Sequence, residues 1–250
     1  MVFYIVYRAS RECKNRGALS KRLRSLGCKR VCSSFWEVNE RRINDVLKVV
    51  GDNQPILLKR TRDIRKPAYD DEGNIIDFGS LVVVAYNSER DESGRVRSLL
   101  ARTPYIRLCR SVYAFCQNSH QYDKRGEIFD MSHLLTLMRE SDKDMKVLSR
   151  IVIVNSAETK DMLLESVKMR ILKRVEKILS GYRNLTYAIS EDKMEIRNVI
   201  EEERRLRSEF IALRRMAIFY ERWLKLDLAK DLMRVYSAIR KLHLIKVNAI

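Results

Sequence analysis

Arg8, Arg11, Lys14 and Arg16 follow one short apolar run, Lys59, Arg60, Arg62, Arg65 and Lys66 follow another, and Arg30 lies between them. A guanidinium presents a planar fork of donors that matches two oxygens of a phosphate, so clustered arginines can hold a polyanion without reading its sequence. These ten residues are the candidate nucleic-acid contacts. The whole chain of 250 residues has 50 Lys and Arg against 33 Asp and Glu, a net +17 whose field concentrates polyanions near the surface. That excess is uneven: residues 1–66 carry +11, 67–80 carry −4, 81–156 carry +3 and 157–250 carry +7. The plainer alternative is that the charge serves solubility alone.

Other chemistry finds less support. Cys109, Cys116, His120 and His133 do not have the paired spacing of a zinc site. No residue is placed to act as a base beside a chosen thiol. Neither common glycine-rich phosphate loop occurs, so nucleotide hydrolysis has no motif to stand on. The basic–glycine–aromatic strand of RNA-recognition domains is also missing, since Phe35, Trp36, Tyr113 and Phe115 lack its glycine and its spacing. No catalytic residue, metal or cofactor is expected.

The elements that would position the cations come twice. Val2 to Tyr7 is an apolar and aromatic run of strand character, followed by a polar turn and a helix from Gly17 with Leu19, Leu23 and Leu26 on one side, ended by Gly27. Residues 28–38 predict one bent strand or two, 40–50 a second helix, and 55–59 a closing strand. Leu81 to Tyr86 begins the same order again, with a helix over 94–102, paired strands over 105–116, a helix over 131–138 and a closing strand over 149–154. Without a gap, Gly17 aligns with Gly94, Leu23 with Leu100, Arg30 with Arg107, Cys32 with Cys109, Ser34 with Ser111, and Trp36 with Tyr113. A shared period implies one unit used twice. The order βαββαβ predicts an α+β chain of two tandem ferredoxin-like repeats, 1–66 and 81–156, joined by an acidic linker, 67–80.

Residues 157–250 predict an all-α C-terminal region. Leu163, Val167, Ile171, Val175 and Ile178 line one face of a first helix, which Gly181 should interrupt. A long segment then places Ile196, Val199, Leu206, Phe210, Leu213, Ala217, Tyr220 and Leu224 at 3-and-4 spacing, skipping one position at Glu203, a coiled-coil-like seam, and a last helix over 227–244 folds back on it. Helices within 158–244 could pair with a second copy or a protein partner. No apolar run is long enough to cross a membrane and no secretory leader is recognisable, which predicts a cytoplasmic protein. Five cysteines without a framework suit a reducing compartment, and three glutamines beside 50 basic residues suit a heat-adapted source.

The strand followed by Tyr-x-x-Ser, the helix, and the strand pairs at Ser34, Phe35, Trp36, Glu37 and at Ser111, Val112, Tyr113, Ala114 carry a family resemblance. The chain resembles the small ferredoxin-like CRISPR-associated proteins of spacer acquisition, the second in that numbered series, over 1–62 and 81–156. The resemblance implies a dimer across two sheets, which a tandem chain would make within itself as a pseudo-dimer. In that family an Asp ends the first strand and is proposed to hold a metal ion; here Arg8 and Asn87 stand at the two positions. The expectation is therefore non-catalytic nucleic-acid binding, duplex DNA ahead of RNA. The alternatives are a metal-dependent nuclease with a relocated acidic site at Glu89, Asp91 or Glu92, and a scaffold that recruits proteins through its helices.

Overall fold

The computed structural model describes residues 1–8, 16–122, 130–154, 156–191 and 195–248, with the side chains of Arg16, Ile196 and residues 246–248 left out. The chain is α+β, with a large antiparallel sheet and a long C-terminal helical region. It divides into two compact units, Met1–Val167 and Lys168–Ile250.

The first unit holds all eight strands of the large sheet. Its first half runs β1 (Phe3–Val6), α1 (Arg16–Ser25), β2 (Lys29–Cys32), β3 (Phe35–Val38), α2 (Ile43–Val50) and β4 (Ile56–Arg60). Gly27 ends α1 at φ +77°: its N–H donates to the Arg24 carbonyl and that of Cys28 to the Leu23 carbonyl, which satisfies the last open carbonyls of the helix. The linker is a small hairpin, β5 (Ala68–Tyr69) and β6 (Ile75–Asp77), turned by Asp70 and Asn74, which bond to each other through backbone and side chains. The second half runs β7 (Leu81–Ala85), α3 (Arg95–Arg102), β8 (Ile106–Cys109), β9 (Val112–Cys116), α4 (Met131–Ser141) and β10 (Lys146–Val154).

The strands lie in the order β2-β3-β1-β4-β10-β7-β9-β8, every neighbouring pair antiparallel. Each half thus contributes four contiguous strands, and the halves join where the closing strands β4 and β10 pair, Lys59 opposite Val152 and Leu58 opposite Ile153. Strand β10 begins at Lys146, earlier than the pattern predicts. It can serve both halves because its register shifts between Leu148 and Ile151, with Arg150 at φ +58°. The shift is tied down on both sides. The Arg150 N–H donates to Gln117 Oε1 at 2.8 Å, while its carbonyl accepts from the Thr61 N–H at 2.9 Å.

Both faces of the sheet are dry. On one face Ile5, Tyr7, Trp36 and Val38 pack with Leu19, Leu23, Val46 and Val50 of α1 and α2. Tyr86, Tyr113 and Phe115 do the same with Val96, Leu100, Leu134 and Met138 of α3 and α4. Successive residues of a strand alternate sides, so Tyr4, Val6, Phe35, Ile56, Leu58, Leu81, Val83, Val112 and Ala114 face away from those helices, and they are buried too. In a flat sheet β1 and β8 would lie about 24 Å apart, five strand spacings. Yet the Arg8 guanidinium, just past β1, donates through Nε to the Leu108 carbonyl at 2.9 Å and through an Nη to the Arg107 carbonyl at 2.8 Å. The sheet therefore folds back on itself.

Helix α5 (Ala157–Ser190) starts in the first unit and continues into the second, which adds α6 (Ile196–Leu224) and α7 (Ala229–Asn248). Gly181 does not interrupt α5. A Cβ there would lie 2.5 Å from Leu206 Cδ2, so the residue serves close approach of two helices and not a turn. The α6 seam at Val199, Leu206, Phe210, Leu213, Ala217, Tyr220 and Leu224 is buried within the chain. Among the described residues no helix is long and apolar enough to cross a membrane.

Candidate functional site

The two halves build the same local device at the ends of their first strands. The Tyr7 N–H donates to the Ser34 carbonyl at 3.1 Å, and the Tyr86 N–H to the Ser111 carbonyl at 2.9 Å. Each hairpin has its register shift at the same place, between Arg30 and Cys32 in one and Arg107 and Cys109 in the other. Beside each shift the arginine folds back on its own strand: Arg30 Nε donates to the Cys32 carbonyl at 3.4 Å, and Arg107 Nε to the Cys109 carbonyl at 3.2 Å.

Because the sheet folds back, the end of each half's first strand meets the hairpin turn of the other half, which makes two clefts. One, of about 610 Å³, is lined by Tyr7, Arg8, Arg30, Arg107 and Arg110 with Ser20, Ser33, Ser34 and Ser166, and no carboxylate is among its described lining residues. Carbonyl oxygens orient three of its guanidiniums, those of Arg8, Arg30 and Arg107, and leave their charge uncancelled. Burial pushes the Arg8 guanidinium down from its ordinary value. The other cleft lies at the end of β7 and is lined by Arg30, Arg90 and Arg110 together with Glu89, Asp142 and Asp144. There Arg90 pairs with buried Asp142 at 2.6 Å and with Asp144 at 2.8 Å, and Arg110 pairs with Glu89. One cleft is cationic; its counterpart is neutralised from within.

The predicted contact residues separate accordingly. Arg8 and Arg30 lie in the cationic cleft, which Gly17 of the first turn of α1 also lines. Arg11 and Lys14 fall outside the described residues, as does the Arg16 side chain. Lys59, Arg60, Arg62 and Arg65 line a different cavity with Arg150 and Asp63, around Met1 and Val2. The Arg60 N–H bonds to the Val2 carbonyl, so this group sits at the opposite end of β1 from Arg8, about 20 Å away along six extended residues. Arg8 and the Lys59–Arg65 group do not share a cavity. Exposed Lys66 lines neither cavity. Arg107 and Arg110 were not among the candidates, although Arg107 aligns with Arg30, and that alignment was the signal for it.

The carboxylates of the turn after β7 have structural employment. Asp91 is buried and accepts from the Arg97 N–H at 2.8 Å and the Ser93 hydroxyl at 3.2 Å, which caps α3. Glu89 holds Arg110, and the Asn87 side chain accepts from the Glu89 N–H. Among the described residues no three His, Cys, Asp or Glu are grouped to hold a metal ion. Cys109 and Cys116 are buried, which pushes their thiols up to about 11 and about 12 and leaves them protonated.

No protein-family model, curated protein or solved structure matches the chain. The resemblance to the CRISPR-associated family rests on the residues quoted for it.

Proposed function

We propose that the protein binds nucleic acid without cleaving it, through phosphates held at the cleft of Arg8, Arg30, Arg107 and Arg110. In this reading each half of the first unit is a ferredoxin-like repeat, and the two form an intramolecular pseudo-dimer. The strand order 4-1-3-2 within each half and the repeated hairpin device support it. The observation that carries the function is the cleft of Arg8, Arg30, Arg107 and Arg110, where among the described residues no carboxylate is in the lining and only Arg110 has an acidic partner, Glu89. Guanidiniums fixed by carbonyls in a concave site complement phosphate oxygens and pick no base, so the interaction is independent of sequence.

Fluorescence anisotropy with labelled DNA and RNA duplexes tests it. Affinity should fall steeply as salt rises, and each of Arg30→Ala, Arg107→Ala and Arg110→Ala should lower the salt slope by about one. The label should stay full-length in Mg²⁺. An affinity indifferent to salt and to all three substitutions would remove the proposal; duplex cleavage would remove its non-catalytic part.

A further inference from the structure

The two clefts are built alike and charged differently, and the cationic one has the size of a small-ligand pocket, not of a flat duplex track. A phosphodiester inside a strand carries one negative charge, shows two free oxygens and needs an exit for the chain on both sides. A terminal phosphomonoester carries about −1.5 to −2 near pH 7 and shows three acceptor oxygens. Three guanidiniums with no carboxylate partner, a fourth on Arg110 that Glu89 also holds, and four serines line this one concavity, which exceeds what the first can use and suits the second. Leu19 and Tyr7 add apolar wall for the sugar or base behind the phosphate.

We infer that the cleft between the end of β1 and the β8–β9 turn is a pocket for one terminal phosphomonoester, on a strand end or a free nucleotide. Its counterpart at the end of β7, where Arg90 is paired to Asp142 and Asp144, takes none. A pseudo-dimer of this kind presents one such pocket per chain, so a bound duplex has a defined polarity on it. The inference rests on the phosphate-directed reading given above.

Isothermal titration separates the two readings. Three probes suffice: a 5′-phosphorylated duplex, the same duplex with 5′-hydroxyl ends, and a nucleoside 5′-monophosphate. The phosphorylated duplex should bind about tenfold or more tightly than its hydroxyl twin, at one end per chain, and the monophosphate should compete with it. Arg107→Gln and Arg110→Gln, both at exposed positions, should bring that ratio towards one with unchanged melting temperatures. Equal, salt-dependent binding of both duplexes would overturn the pocket and leave nucleic-acid binding standing. Binding of the monophosphate with neither duplex retained would sustain the pocket, name the free nucleotide as its ligand and overturn the nucleic-acid reading. No binding of any probe, or two phosphorylated ends per chain, would overturn the inference.

Discussion

Leu206 occupies the space that a side chain at Gly181 would need, its Cδ2 lying 2.5 Å from the ideal Cβ position. A glycine inside a helix costs about 1 kcal/mol relative to alanine, so this one is kept for packing. Leu206 is buried and has little room to retreat. Gly181→Ala should therefore destabilise by about 1–2 kcal/mol in urea unfolding. In a Leu206→Ala background the same change should stabilise by about 1 kcal/mol, because only helix propensity remains. The change of sign is the check.

Arg8 joins the halves of the first unit by two charge-assisted bonds to the Arg107 and Leu108 carbonyls. Arg8→Gln should lower stability by about 1.5–3 kcal/mol, read as a fall in the urea midpoint. Arg30→Gln, whose Nε bonds only to its own hairpin, should lower it by less than about 0.5 kcal/mol. Equal losses would deny Arg8 its bridging part.

Gly79 sits at φ +74°, and a Cβ there would lie 2.7 Å from the Pro67 nitrogen and 3.0 Å from the Arg65 carbonyl oxygen. These are backbone atoms and cannot turn aside. Gly79→Ala should cost about 2 kcal/mol or more in chemical denaturation, whereas Gly73→Ala, with open space around it at a similar φ, should cost about 1 kcal/mol.

Stability should fall on the alkaline side. Burial raises Cys109 from 9.0 to about 11, Cys116 from 9.0 to about 12, and Tyr182 from 10.0 to about 12. The folded state thus keeps protons that the unfolded state releases. The stability these groups add is complete below pH 9 and is lost as pH rises towards 11 and 12. Melting temperatures should decline over that window, with a shallower slope in Cys116→Ala.

Local chemistry made much of the chain legible. Gly27 marks the end of α1 because its position demands φ above zero, and the order of apolar runs gives every helix of the first unit. What had no local signal was pairing at a distance. Nothing in Ile56–Arg60 says that its neighbour is Lys146–Val154, and the Arg150 shift that lets one strand serve two partners is set by Gln117 and Thr61. Gly181 misleads for the same reason, since its role depends on Leu206. Within the site, the sequence leaves open whether Lys59 to Lys66 join Arg8, and the pairing of β4 with β1 carries Lys59 and Arg60 to the opposite end of that strand. Arg107 was legible through its match with Arg30.

The β4–β10 seam also sets an order of events at the ribosome. A nascent chain completes Ile56–Arg60 well before Lys146–Val154 emerges, and until then that edge offers unpaired N–H and C=O groups to any passing strand. Lys59 and Arg60 sit at its end, within the most basic stretch of the protein. Charged side chains at an open strand edge disfavour pairing with another chain, so these two oppose aggregation of the unfinished sheet.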